Sequence, residues 1–278
     1  MHKKMKKKMT GRRAAACLCV FLTAALCAGC GSRSNAVKNH EEDLPVITVG
    51  CDNYSPFSYM DVDGDLTGVD VDLATEAFHR MGYEPKFEFI NWEDKKELLE
   101  DGSIDCIWSC FTMDGREEEY RWAGPYMMSH QVVAVGEDSE IQTFQDLKDK
   151  TVAVQSTTKP EDIFRSKDPR IPELRRVISV QKRDLIFVML SKGYVDAIAA
   201  HDTSVDQFME ESGMKFRILE EPLLAARLGV AFDKNDERGI PEELTETLRR
   251  MQQDGTTERI IGKYFENTER YLGELNED

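Results

Sequence analysis

Cysteine is scarce in this chain, and most of it lies at one end. The 278 residues include seven cysteines, four of them within the first 30: Cys17, Cys19, Cys27 and Cys30. The other three are an odd number, so at least one has no partner within the chain. We therefore exclude a disulfide scaffold. No Cys/His spacing is that of a zinc site, and we predict no metal and no cofactor.

The redox state of the remaining cysteines stays open on the sequence alone. Cys51 and Cys106 fall on predicted neighbouring strands, while Cys110 follows the second of them. A bridge between Cys51 and Cys106 and a reduced, buried pair both fit this placement.

Acidic residues are absent from the first 30 positions. That segment holds seven of the 36 Lys and Arg residues and none of the 52 acids, which leaves residues 31–278 with a net charge of −23. A surface so negative opposes binding to nucleic acid and electrostatic attachment to anionic lipid. This charge favours a domain whose attachment to a membrane, where there is one, is not electrostatic.

Long apolar runs are also missing, apart from one near the N-terminus. Ala14–Ala28 follows a basic stretch and is too short to span a bilayer comfortably, as in a secretory signal. Its end, LCAGC, resembles a bacterial lipobox with Cys30 as the lipidated first residue of the mature chain. We expect a signal peptide at 1–29 and a lipid-anchored flexible tether at 30–43. Ordinary cleavage near Ala28 is the alternative.

The rest of the chain alternates between strand and helix patterns. Val46–Cys51 predicts a first strand, and the turn-rich Asp61–Gly68 predicts a hairpin rather than a calcium loop, whose twelfth-position Glu is absent. Asp70 is the expected N-cap of a helix that runs to Met81 and ends at Gly82.

Two successive alternations follow this start, and together they predict an α/β fold with mostly parallel sheets. The tail, residues 266–278, is acidic and is expected to fray. The remaining strands are expected at 85–90, 104–108, 131–135, 151–154, 176–180, 196–200, 215–219 and 228–232. The remaining helices are expected at 93–101, 143–150, 160–166, 184–192, 203–212, 256–265 and from Pro241 onward.

The segment Ile104–Tyr126 (IDCIWSCFTMDGREEEYRWAGPY) contains the most informative pattern. A short buried strand delivers Ser109, Thr112 and Arg116 to its C-terminal end, where ligands of open α/β sheets bind. Hydroxyls and a guanidinium are the groups that hold a carboxylate. The alternative is a surface turn in which Arg116 pairs with the acids at 117–119.

Six motifs in one order resemble the extracellular solute-binding proteins of polar amino-acid ABC transporters (bacterial family 3). They are ITVGCDNYSPFSY, LTGVDVDLATEAFHRMG, GSIDCIWSCFTMDGRE, FQDLKDKTVAVQSTT, GYVDAIAAHD and DGTTERIIGKYF, which together extend from Val46 to about Phe265. The resemblance implies a two-lobed type II periplasmic-binding-protein fold with a ligand cleft between the lobes, closing by a hinge. Lobe 1 would comprise 44–135 plus 226–278, and lobe 2 would comprise 136–225.

The resemblance also implies a function and a location. The chain would bind a small polar ligand, an amino acid in the first place, and deliver it to an ABC permease. It would work as a monomer, anchored by lipid on the extracytoplasmic face of the cell membrane, without catalysis and without nucleic acid.

Site residues carry over from the family position by position. Backbone, hydroxyl and guanidinium groups would hold the ligand's charged ends, Asp52 would contact its side chain, and aromatic rings would form the wall. Phe57 fits the core equally well, as does Trp92. The expected ligand-binding residues are Asp52, Tyr54, Phe57, Trp92, Ser109, Cys110, Thr112, Arg116, Thr157 and Thr158.

One position departs from the family pattern. The family's ammonium-binding Asp falls at His201, and Asp202 follows directly. We assign the ammonium to Asp202 after a one-residue shift, with His201 in the cleft as the alternative. In that alternative, a ligand other than a standard zwitterion becomes possible.

Two other functions remain open on the sequence. A ligand sensor that signals through a partner protein would carry the same cleft. An enzyme on the same fold, of the dehydratase kind, would need a catalytic pair such as Cys110 with His201 as nucleophile and base.

Overall fold

The computed structural model describes residues 44–276, and within this range the chain alternates strands and helices. The strands are β1 (Val46–Cys51), β2 (Tyr59–Met60), β3 (Leu66–Thr67), β4 (Glu84–Phe89), β5 (Cys106–Ile107), β6 (Arg121–Gly136), β7 (Thr151–Gln155), β8 (Arg176–Val180), β9 (Ala197–His201), β10 (Phe216–Ile218) and β11 (Leu224–Phe232). The α-helices are α1 (Val69–Met81), α2 (Lys95–Glu100), α3 (Lys159–Arg165), α4 (Asp184–Ser191), α5 (Asp202–Ser212), α6 (Ile240–Gln253), α7 (Thr256–Ile261) and α8 (Glu269–Leu272). Turns of 3₁₀ helix occur at Trp92–Asp94, Phe144–Leu147 and Gly273–Asn276.

The main sheet has the strand order β4-β1-β5-β11-β6-β9-β7-β8, with β10 also paired to β6. The pairs that β1 forms with β4 and β5, and those that β7 forms with β8 and β9, are parallel. The pairs that involve β6, β10 and β11 in the middle of the sheet are antiparallel. The predicted α/β fold class is confirmed.

Strand β6 connects the two halves of this sheet. Its first part pairs with β11, and its second part pairs with β9 and β10. The sequence predicted a strand only at 131–135, whereas β6 has 16 residues. Buried polar residues such as Ser129, together with Gly124 and Pro125, interrupt its apolar pattern, and the continuous strand was therefore missed.

Separate apolar cores lie on either side of β6. On the side of β1, Leu73 and Phe78 of α1 pack with Phe232 and with Leu244 of α6. On the other side, side chains of β7 and β9 pack with α3 and α4. Burying each such side chain fully contributes about 1.5–3 kcal/mol, so each half has its own source of stability.

Helix α1 starts differently from the prediction. Gly68 is the N-cap, and Asp70 lies buried inside the first turn. Its carboxylate accepts hydrogen bonds from the Cys110 N–H (2.6 Å) and from Tyr126 Oη (2.8 Å). Asp70 therefore joins three elements instead of capping one. The predicted end at Gly82, in the left-handed conformation, is confirmed.

The prediction that the tail frays is wrong up to residue 276. Helix α8 forms there, because Tyr271 is buried and its ring centre lies 4.6 Å from that of Phe265. The apolar anchor within an acidic segment was overlooked.

Other predictions have mixed outcomes. Strands β2 and β3 confirm the hairpin around 61–68. The cysteines Cys51, Cys106 and Cys110 are free and buried, so Cys51 and Cys106 do not form a disulfide. Within residues 44–276, no helix has the length and apolar character that crossing a bilayer requires. The predicted signal peptide, the lipidated Cys30 and the tether lie outside the described residues.

Candidate functional site

Loops at the carboxyl ends of strands from both halves of the sheet face each other. Those after β1 and β5 come from the half with α1, and those after β7, β8 and β9 come from the other half. In open α/β sheets, ligands bind outside the carboxyl ends of strands. The fold therefore brings most of the predicted site residues to one cleft.

The loop after β1 supplies an aromatic wall. The Tyr54 N–H donates to the Ser58 carbonyl over 2.6 Å, which holds the loop as a tight turn. The guanidinium carbon of Arg183, from the opposite half, lies 3.1 Å from the Tyr54 ring centre, a close cation–π contact. Phe57 is fully buried against Phe265 and belongs to the core.

Asp52 joins the two halves. Its N–H donates to Ser109 Oγ (3.0 Å), and its Oδ2 accepts from Gln155 Nε2 (2.8 Å). Arg183 Nη1 lies 3.4 Å from the same oxygen, an ion pair without hydrogen-bond geometry. Asp52 is thus available to a ligand on one oxygen only.

The loop after β5 is held from below. Cys110 adopts a left-handed φ of 49°, and its N–H donates to buried Asp70, so that amide does not point into the cleft. Burial, followed by the charge of Asp70, raises the pKa of the Cys110 thiol well above its ordinary value. Ser109 Oγ is engaged by Asp52 and Ser58, and Thr112 forms a β-bridge with Leu228.

Arg116 is buried rather than placed on a surface turn. Its Nη2 lies 3.2 Å from Asp162 Oδ2 and 3.5 Å from the Thr157 carbonyl oxygen, both on the opposite half. Its guanidinium carbon lies 5.2 Å from the Phe111 ring centre. The alternative in which Arg116 pairs with the acids at 117–119 is therefore not what the fold adopts.

Lys95, which the sequence reading did not select, lies beside Arg116. Only 5% of the residue is exposed. Its Nζ donates to Thr157 Oγ1 (2.8 Å) and to the Trp92 carbonyl (3.1 Å), and it lies 4.9 Å from the Trp92 ring centre. Burial, and then the neighbouring charge of Arg116, lower the pKa of Lys95 to about 8.

The loop after β7 contributes Thr157 and Thr158. Thr157 has a left-handed φ of 56°, which is costly for a β-branched residue, and its N–H donates to Glu161 Oε2 (2.6 Å). Thr158 Oγ1 donates to the Gln155 carbonyl (2.6 Å). Of the two threonines, Thr157 is the one that contacts Lys95 and Arg116 across the cleft.

His201 and Asp202 take positions opposite to those that the sequence reading favoured. The Asp202 carboxylate accepts from Ser129 Oγ, from the Thr203 N–H and from Arg270 of α8, away from the aromatic wall. The His201 ring centre lies 6.3 Å from that of Tyr54. Asp202 is thus part of the connection between the halves, and His201 is the one near the cleft.

The surroundings of His201 keep it neutral. Its Nδ1 lies 2.8 Å from Ser129 Oγ, and its Nε2 lies 2.6 Å from Gln131 Nε2. Burial, and then the charge of Arg183, lower the pKa of His201 to about 3. It carries no charge at neutral pH.

Three cleft residues were missed by sequence reasoning: Lys95, Gln155 and Arg183. Gln155 ends β7, and Arg183 stands three residues after the end of β8, so the rule that placed Ser109 could have found both. Lys95 lies one helical turn after Trp92, but nothing in the sequence distinguishes it from its exposed neighbour Lys96.

Several buried polar atoms of cleft residues have no hydrogen-bond partner among the described residues. They include the donors Trp92 Nε1 and Arg183 Nη1, the acceptor Gln155 Oε1 and the hydroxyl of Tyr54. A cavity of about 490 Å³ at the cleft mouth is lined by Trp92, Arg183 and Asp52, among others. Unmet polar groups next to an open cavity are what a ligand would satisfy.

Buried cations and an aromatic ring thus meet between the strand ends of two lobes. This arrangement is that of a two-lobed ligand-binding protein. The model of the bacterial extracellular solute-binding proteins, family 3, matches residues 47–267, and the chain belongs to this family.

Several relatives have names that describe binding. The putative amino-acid ABC transporter-binding protein PatH of Vibrio harveyi is 30% identical over 76% of this chain and 85% of its own length. The L-cystine-binding protein TcyJ of Escherichia coli (strain K12) is 26% identical over 94% of this chain and 98% of its own. Among solved structures, a mutant of ArgBP from T. maritima is 29% identical, with a TM-score of 0.70 over 80% of this chain and 96% of that one.

Proposed function

We propose that this protein binds a small polar ligand, an amino acid in the first place, outside the cell and delivers it to an ABC-type permease. The observation that carries the proposal is the meeting of buried cations with the opposite lobe. Lys95 and Arg116 both contact Thr157, and Arg183 covers Tyr54 from the other side. The family and the names of the relatives support it.

We propose that the lobes comprise 44–135 plus 226–278 and 136–225. Strands β6 and β11 would form the hinge between them, since both extend along the boundary. Ligand binding between the lobes would favour the closed arrangement, because contacts such as those of Asp52 with Gln155 form only when the lobes meet.

We propose that the chain is not an enzyme. A catalytic Cys110 would need to be a thiolate, whereas burial raises the pKa of its thiol. His201 has both ring nitrogens engaged, and its lowered pKa of about 3 makes it too weak a base to take the proton of the thiol. Mass spectrometry of a ligand before and after incubation tests this point, and a mass change would contradict it.

We propose that the chain is a lipid-anchored monomer on the extracytoplasmic face of the cell membrane, with lipid on Cys30. Cells fed an alkyne-tagged fatty acid should label the protein, and Cys30→Ser should remove the label. Cys19→Ser serves as the control, because it lies within the same signal. Label retained in Cys30→Ser would contradict the proposal.

The binding proposal is tested by calorimetry and thermal shift with the proteinogenic amino acids, cystine, ornithine and small carboxylates. A ligand that binds only the folded state raises its stability by about 2.7 kcal/mol at a hundredfold excess over Kd. Arg116→Ala should weaken binding by roughly 2–5 kcal/mol, because it leaves a buried ligand charge unpaired.

Arg249→Ala is the matched control, since Arg249 is exposed on α6, away from the cleft, and pairs with Glu246 of the same helix. Unchanged affinity in Arg116→Ala would remove Arg116 from the site. No stabilisation by any member of the panel would contradict the proposed function.

A further inference from the structure

The cleft walls carry more buried positive than negative charge. Lys95 is 5% exposed, Arg116 is 7% exposed, and the Arg183 side chain is 9% exposed. The carboxylates of comparable burial around these three cations are Asp52, whose side chain is 18% exposed, and Glu161, whose side chain is 15% exposed and already engaged within its own lobe. Buried charge without a partner is costly, so the excess must be offset.

The other acids around the cleft offset it weakly. Asp162 pairs with Arg116, but its side chain is 55% exposed. Glu93 binds Gln181 at the rim, and Glu161 is engaged by Arg165, Ser179 and the Thr157 N–H. The pair of Arg116 with exposed Asp162 contributes little because water screens it, and the charge of Glu161 is already paired with Arg165.

The unmet hydrogen bonds point in the same direction. Arg183 Nη1 and Trp92 Nε1 need acceptors, and Gln155 Oε1 needs a donor. Trp92 lies beside Lys95, and Gln155 lies beside Asp52 and Arg183 through the shared Asp52 oxygen. A ligand that satisfied these atoms would present hydrogen-bond acceptors to Trp92 and to Arg183, and a donor to Gln155.

We propose, resting on the binding function above, that the ligand is a small dicarboxylate, an acidic amino acid in the first place. One carboxylate binds Lys95 and Arg116, and the second binds Arg183 over the Tyr54 ring. The ligand's ammonium group donates hydrogen bonds to Gln155 Oε1 and to the Asp52 carboxylate. Lys95 is thus a binding residue for the carboxylate that every amino acid carries, and Arg183 is the residue that sets the preference for acidic ligands.

Amino acids that differ only in the acid test this preference. Calorimetry on the full chain in mild detergent compares glutamate with glutamine and aspartate with asparagine, with succinate, glutarate, arginine, histidine and cystine completing the panel. We expect at least one acid to bind at least tenfold more tightly than its amide and than the cationic and neutral ligands.

Two variants assign the carboxylates. Arg183→Gln should bring the ratio of acid to amide affinity close to one, while Arg183→Lys should keep a preference for the acid. Lys95→Met should weaken acid and amide by the same factor, at least tenfold. Exposed cations outside the cavity lining provide matched controls, Arg175→Gln and Lys96→Met, which should change neither affinity.

The outcomes separate this inference from the proposed function. An amide or a cationic amino acid that binds as tightly as the best acid, with binding still lost in Arg116→Ala, overturns the ligand class alone. An acid preference that survives in Arg183→Gln, in protein that unfolds at the wild-type temperature, overturns the role of Arg183. If nothing in the panel binds, both the ligand class and the proposed function fall.

Discussion

Lys95 is a buried lysine whose charge the fold does little to compensate. Burial and the charge of Arg116 lower its pKa to about 8, and the carboxylates that act in the other direction, Asp162, Glu119 and Glu93, do not restore it. Near neutral pH the lysine is mostly charged, and a bound carboxylate would stabilise that charge. Affinity for an acidic ligand should therefore depend on the protonation of Lys95.

The first prediction concerns this dependence. Carboxylates keep their charge between pH 7 and pH 9, whereas a lysine of pKa about 8 loses most of its charge there. Affinity for the best-bound acid should fall about tenfold more over this range in wild type than in Lys95→Met, measured by calorimetry. The ligand's own ammonium titrates equally in both proteins, so parallel pH profiles would contradict the role of Lys95.

Asp70 shows the reverse perturbation. Burial raises its pKa from 3.8 to about 7, although the hydrogen bonds from Tyr126 and Cys110 act in the opposite direction. Below pH 3.8 the carboxyl is protonated in both the folded and the unfolded chain. Between pH 3.8 and about 7 only the folded chain holds the proton, so stability is lost as pH rises through this window.

The second prediction follows from that sign. Between pH 5 and pH 7 the free energy of unfolding should fall by about 2 kcal/mol more in wild type than in Asp70→Asn. Urea denaturation at the two pH values measures the difference, and titrating groups elsewhere cancel in the comparison. Equal pH dependence in the two proteins would show that Asp70 ionises normally in the fold.

At the scale of helices and strands, apolar periodicity was the reliable signal. It placed β1, β7 and the body of α1, because each of these buries most of its apolar side chains. It failed where the reason for an element is tertiary. Helix α8 forms because Tyr271 finds a pocket, and Asp70 serves the β5 loop instead of capping α1.

The residues of the candidate site also fall into those that a local sequence pattern indicates and those that depend on tertiary contacts. Arg116 could be found because it follows a buried strand with hydroxyl residues, a local pattern. Lys95 acquires its role by meeting the opposite lobe, which its sequence neighbourhood does not show. Arg183 follows the end of β8 closely, so the strand-end pattern could have found it, although its contact with Tyr54 is tertiary. The choice between His201 and Asp202 likewise depended on Arg270, which lies 68 residues beyond Asp202.

The third prediction tests how α8 is attached. Arg270 donates to Asp202, whose side chain is 1% exposed, while the Arg270 side chain is 45% exposed. Arg270→Ala should lower the free energy of unfolding by about 1–2 kcal/mol, because a buried carboxylate loses a charged but partly screened partner. Urea denaturation measures it, with Arg249→Ala as control.

A double-mutant cycle with Asp202→Asn identifies the partner. The combined effect should deviate from additivity by about 1 kcal/mol if the two side chains interact in solution. Additive effects would mean that Arg270 contributes through packing on Tyr271 instead.

For the whole molecule, the contacts across the cleft imply two arrangements of the lobes. The links of Asp52 with Gln155, Ser55 with Glu211 and Glu93 with Gln181 exist only when the lobes meet. These three links are partly exposed to water, so each of them stabilises the closed form weakly. A ligand that bridges Arg116 and Arg183 would supply the remaining free energy of closure.

The most direct test of this account is the distance between the lobes with and without ligand. Spin labels at exposed Glu97 and Lys192, one on each lobe, report it by pulsed electron resonance, since Cys51, Cys106 and Cys110 are buried. Adding the pooled amino-acid panel should shift the distribution toward shorter distances, and Arg116→Ala should prevent the shift. An unchanged distribution in wild type would contradict a ligand site between the lobes.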